Sequence, residues 1–157
     1  MKENAILLMD IDLDCAERVA KAAAQRDRGV LTVRTTREAF KTIRDQGSGL
    51  DAIIVNLDPG AHGLALLEAI HACADKPPAI VITSLEESYM KPIALKHGAM
   101  ACLAKPIDVQ TMTVALDHVL TRLRTCDRWG RLIPPTTYEK LDLEHCIAGI
   151  AQKLRPA

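Results

Sequence analysis

Several side chains in this sequence could do chemistry together, because each stands at or just past the end of a short apolar run. Asp10 and Asp12 follow Ala5-Ile6-Leu7-Leu8-Met9, and Asn56 and Asp58 follow Ala52-Ile53-Ile54-Val55. Thr83 and Ser84 follow Ala79-Ile80-Val81-Ile82, and Lys105, before Pro106, follows Ala101-Cys102-Leu103-Ala104. Together they offer carboxylates able to ligate a cation or cap a helix, an amide and hydroxyls able to hydrogen bond, and one ammonium. They act as one site only if the runs before them lie side by side.

The runs are continuous rather than alternating, which marks strands covered on both faces and hence a parallel sheet. Leu31-Thr32-Val33 is a fifth, shorter run. Segments of helical spacing separate them. Asp12 or Asp14 can cap a helix from about Leu13 to Asp27, and Thr35-x-x-Glu38 is a capping box for a helix reaching about Gln46. Gly63 to Ala74 carries Leu64, Leu67 and Ile70 at helical spacing, and Glu86 to His97 carries a fourth helix with Pro92 inside it. That proline lacks a donor and crowds the preceding turn, so the helix should kink or begin late. Val109 to Arg124 completes the series. Strands alternating with helices join right-handedly into an open sheet with helices on both faces, a three-layer (βα)5 α/β fold. In such sheets ligands bind outside the carboxyl ends of the strands, where the residues named above gather. The reading assigns 1–125 to this domain and 126–157 to a loop plus an amphipathic C-terminal helix, opened by Thr136-x-x-Glu139 and striped by Leu143, Ile147, Ile150 and Leu154.

Composition narrows the function classes. The 157 residues are 48% apolar and 25% charged, with 20 basic and 20 acidic side chains, which excludes disorder and a supercharged binder. Zero formal charge and 3% aromatics leave neither a polyanion footprint nor a stacking platform for nucleic acid. The apolar runs are far too short to span a membrane, and a cytoplasmic location is expected. Cys15, Cys73, Cys102, Cys126 and Cys146 are odd in number and lack a CxxC, which fits reduced, mostly buried thiols.

The stretches "ILLMDID", "DAIIVNLDPGAHG", "IVITS" and "GAMACLAKP" resemble, in register, the receiver domain of bacterial response regulators, the CheY-like superfamily. The likeness covers about residues 4 to 124. It implies a flavodoxin-like sheet in the order 2-1-3-4-5 and a cis Lys105-Pro106 bond. It also implies an acidic pair after the first strand that binds Mg²⁺, an Asp ending the third strand as phosphoacceptor, and Thr83 and Lys105 as holders of the phosphoryl oxygens. The partners it implies are a histidine kinase, an output domain or another regulator, with a homodimer also open. It places their docking on the face of the fourth helix, fifth strand and fifth helix, at Tyr89, Met90, Lys96, His97, Asp117 and His118.

The sequence departs from that pattern at the chemistry itself. The phosphoacceptor position holds Asn56, and a carboxamide cannot form an acyl phosphate. The position of the second acid holds Ile11, and Asp12, one residue on, is expected to point to another face. The loop from Asn56 to Pro59 and Gly63 is one residue short. Magnesium needs several hard oxygen ligands, so no cofactor is expected, with Asp10 a residual metal candidate. The resulting expectation is a pseudo-receiver, not an enzyme, that signals by protein–protein contact. One alternative is phosphorylation at an unorthodox carboxylate, Asp10, Asp12 or Asp58; a remote one is a small-molecule binder or enzyme on the same fold. Plainer roles compete: Asp12 as a helix cap, Asp58 as a turn residue and Thr83 as a main-chain partner. With no acid at position 56, Lys105 is expected to pair with Asp10.

Overall fold

The computed structural model describes residues 5–46, 49–58, 62–72 and 77–129, with side chains through residue 120. Five strands alternate with five helices: β1 Ala5–Met9, α1 Leu13–Ala24, β2 Gly29–Val33, α2 Thr36–Gln46, β3 Leu50–Asn56, α3 Gly63–Ala72, β4 Ala79–Thr83, α4 Glu87–Lys96, β5 Ala101–Ala104 and α5 Val109–Trp129. All strand pairs are parallel, and the sheet order is β2-β1-β3-β4-β5.

The period-two geometry of a strand explains why the runs are apolar throughout. Ile6 and Leu8 of β1, Ile54 of β3 and Ile80 and Ile82 of β4 pack with Val19, Met112 and Leu116 under α1 and α5. Leu7, Met9, Ile53, Val55 and Val81 turn the other way, against Ala39, Leu66, Leu67 and Ala94 under α2, α3 and α4. Ile53 and Ile54 are both fully buried, and each contributes roughly 1.5–3 kcal/mol of transfer free energy.

Local signals place the helix ends. Asp12 caps α1, accepting from the N–H groups of Asp14 and Cys15. The helix stops three residues before Asp27, short of the expected end, because Arg26 and Arg28 direct their N–H groups to the Ala23 carbonyl and Asp27 takes a left-handed φ of 55°. Thr35 Oγ1 accepts from Glu38 N at 3.1 Å, while Glu38 reaches back to Arg34 N rather than to Thr35 N. Helix α4 runs unbroken through Pro92. Pro92 and Ser88, whose carbonyl loses its donor, are both exposed, so water can take the vacant bond. Helix α5 extends past the expected end to Trp129, since no proline or glycine occurs in it before Gly130. The boundary placed between residues 125 and 126 therefore falls inside a helix. The expected C-terminal helix and its stripe lie outside the described residues.

Candidate functional site

Strand register brings the site together. Met9 pairs with Val55 and Asn56 with Ile82, so Asp10, Asn56 and Thr83 finish on one edge, and Thr83 pairs with Ala104, which delivers Lys105 beside them. The Lys105-Pro106 bond is cis.

Asp10 is the centre of this arrangement. Its side chain has no exposure, and Lys105 Nζ lies 2.8 Å from Oδ2 with only 11% of the lysine side chain exposed. Oδ1 accepts from Asn56 Nδ2 at 2.9 Å and from Asp12 N at 3.2 Å. Burial opposes ionisation of Asp10, but the Lys105 ammonium, the Asp12 N–H and the Cys15 thiol together hold its carboxyl below the usual aspartate range. Burial works against the charge on Lys105 too, and Asp10 nonetheless raises its pKa. The Cys15 thiol is pushed up to about 12 by burial and by the neighbouring carboxylate, which makes it an inert hydrogen-bond donor.

Asn56 has both ends of its carboxamide in use. Nδ2 serves Asp10, and Oδ1 accepts from Asp58 N at 2.8 Å. Gly63 is required beside it, because a Cβ there would collide with the Asn56 carbonyl oxygen. Asp58 then returns across the strand ends. Its Oδ1 accepts from Thr83 Oγ1 at 3.0 Å and Ser84 N at 2.6 Å, and its Oδ2 lies 3.7 Å from Lys105 Nζ. Burial opposes its ionisation, yet these hydrogen bonds and Lys105 lower its pKa. Thr83 Oγ1 also accepts from Leu85 N at 3.0 Å.

Asp10, Asn56, Asp58, Thr83 and Lys105 thus share one cluster of hydrogen bonds and ion pairs. Asp12 stays at its edge, exposed, capping α1 and 3.7 Å from Lys105. Ile11 is 65% exposed and contributes no polar atom. Asp58, placed by sequence among the site residues with a turn role competing, bonds the Ser84 N–H, a partner that the sequence pattern does not indicate. The available signal was an acid two residues past Asn56, whose side-chain oxygen accepts the Asp58 N–H.

The expected docking face needs correction at three positions. Met90 is buried, since it and Ala94 lie one helical turn apart on the side of α4 that packs on the sheet. Asp117 faces α1, where both its oxygens take the Arg26 guanidinium. His97 is half-buried, with Nδ1 donating to the Ile93 carbonyl and Nε2 3.2 Å from Glu68. Tyr89, Lys96 and His118 are exposed as expected, and Val114 joins them.

The chain is similar to known proteins in sequence and in fold. Over 118 residues the chain is 27% identical to the two-component response regulator ARR11 of Arabidopsis thaliana, covering 74% of this chain and 22% of that protein. It is 27% identical over 123 residues to the phosphoglycerate transport system transcriptional regulatory protein PgtA of Salmonella typhimurium, covering 78% of this chain and 29% of that one. The chain therefore spans less than a third of the length of either relative. A response regulator from Thermotoga maritima superimposes with a TM-score of 0.68 at 17% identity, covering 76% of this chain and 98% of that one. The receiver domain of the Francisella response regulator 1452 gives 0.67 at 20% identity, covering 76% and 98%. Among the described residues no helix is long and apolar enough to cross a membrane. The profile of the response regulator receiver domain matches residues 6–117, most of the chain and every strand end described above, and the chain belongs to that family.

Proposed function

We propose that this receiver domain signals through protein–protein contact without conventional aspartate phosphorylation. The carrying observation is the side chain of Asn56, a carboxamide that donates to Asp10 through Nδ2 and accepts from Asp58 through Oδ1. It has no anionic oxygen with which to attack phosphorus, and both its polar atoms are spoken for. The surroundings fit Mg²⁺ poorly as well. Asp10 gives one oxygen to Asn56 and Asp12 and the other to an ammonium, Asp12 is an exposed cap, and Ile11 offers no ligand. The domain is proposed to work without a bound cofactor.

The partners proposed are proteins of the same signalling class: a histidine kinase, an output domain or another regulator, in the cytoplasm, with a second copy of the chain a further option. The surface proposed for them is Tyr89 and Lys96 on α4 with Val114 and His118 on α5, each of which is exposed. Incubation of the full chain with acetyl phosphate and Mg²⁺, followed by intact-mass analysis, tests the reading. The expected result is an unchanged mass, and a stoichiometric phosphoryl adduct would overturn it.

A further inference from the structure

Asp58 belongs to no strand or helix, yet its carboxylate is only 19% exposed and turns back over the site. The Asn56 side chain sets that direction, because Oδ1 accepts the Asp58 N–H at 2.8 Å and folds the chain over the end of β3. Three donors of different kinds then meet one carboxylate. They are the Thr83 hydroxyl at 3.0 Å, the Ser84 main-chain N–H at 2.6 Å and the Lys105 ammonium at 3.7 Å. A hydroxyl, a main-chain amide and an ammonium converging from two strand ends form a donor set suited to a multiply charged oxyanion. A carboxylate presents two acceptor oxygens and one negative charge, enough to engage all three.

We propose that Asp58 is a built-in anion that fills the oxyanion position of this site and latches the β4–α4 connection to the end of β3. The domain thereby holds, through its own side chain, the donors that a phosphoryl group would otherwise gather. This rests on the unphosphorylated reading above and adds to it how the site is regulated: the ligand is part of the chain, and the arrangement is constitutive. The route to the surface is short. Thr83 Oγ1 donates to Asp58 and accepts from Leu85 N, so loss of Asp58 loosens both Ser84 and Leu85, the residues that lead into α4. Tyr89, 66% exposed, stands in the first turns of that helix.

Amide exchange of the ¹⁵N-labelled full chain is the test. In Asp58→Ala the Ser84 amide should exchange roughly tenfold to a hundredfold faster, the range set by losing a hydrogen bond to a charged acceptor, while the amides of β1 keep their protection. Millimolar inorganic phosphate should then slow the Ser84 amide of Asp58→Ala and leave wild type unaffected, since the wild-type position is already filled. Asp58→Asn keeps the volume and removes the charge, should also accelerate Ser84 exchange, and carries the comparison if Asp58→Ala loosens β1. Unchanged Ser84 exchange in both variants, or a wild type that responds to phosphate as the variant does, would overturn the latch. A phosphoryl adduct on wild type overturns the function proposed above through a different readout and leaves the Ser84 comparison standing.

Discussion

Lys105 Nζ lies 2.8 Å from Asp10 Oδ2, and the carboxylate of that pair has no contact with solvent. A receiver site built around one buried ion pair, a carboxamide and an inward-folded Asp58 makes the following outcomes measurable.

Removing one partner of a buried pair leaves the other charge uncompensated, at a typical cost of about 3–5 kcal/mol, against roughly 0–1 kcal/mol for an exposed pair. Asp14 pairs with Arg18 at 3.2 Å, with 66% and 39% of their side chains exposed. Asp10→Ala should therefore lower the urea midpoint far more than Asp14→Ala does. Equal midpoints would show that the Lys105 pair contributes little to stability.

The pH dependence follows from the direction of each shift. Asp10 and Asp58 have lowered pKa values, burial being outweighed by Lys105 and by hydrogen bonds, so their stabilisation is complete above the ordinary aspartate value of 3.8 and lost as pH falls through the lowered values. Lys105 has a raised pKa, so its share is complete below 10.5 and lost only as pH rises through the raised value. Denaturant midpoints should be flat with respect to these groups across neutral pH and fall on both the strongly acid and strongly alkaline sides. Asp58→Asn should fall less steeply on the acid side; an identical acid limb would remove Asp58 from the account.

Asn56→Asp places a second carboxylate against Asp10 Oδ1, where Nδ2 now donates at 2.9 Å. Like charges this close resist joint ionisation, so the variant should be less stable than wild type and should take up a proton at a higher pH than wild type does. Acetyl phosphate with Mg²⁺ should label it weakly at most, because Ile11 still supplies no ligand and Asp58 still engages Thr83 and Ser84. Efficient labelling of the single variant would show Asn56 to be the sole defect.

Gly63→Ala drives a methyl group into the Asn56 carbonyl oxygen and against Val55. Overpacking of this kind costs about 1–3 kcal/mol. The variant should melt earlier and shift the Asn56 side-chain amide resonances, whereas Gly29→Ala, with open space around it, should not disturb the site. Unperturbed Asn56 resonances in Gly63→Ala would mean that the start of α3 does not position β3's end.

The sequence by itself determined the architecture, because a strand covered on both faces must be apolar at every position. Ala5–Met9, Ala52–Val55 and Ala79–Ile82 announce that directly, and the residues that end them can then only meet at one edge of the sheet. The carboxamide of Asn56 and the apolar Ile11 were legible in the same way, as side-chain types at positions set by the runs. Helix faces were less legible: Met90 turned inward with Ala94, and Asp117 turned to Arg26, because which stripe of α4 or α5 meets the sheet depends on how each helix docks. The latch was decided by tertiary structure alone. Asp58 and Thr83 stand 25 residues apart, and their bond exists because β3 and β4 are neighbours and the Asn56 turn aims the carboxylate across the gap. Strand pattern fixes where a chain emerges from a sheet, whereas the direction an irregular loop then takes depends on the hydrogen bonds waiting for it across that edge.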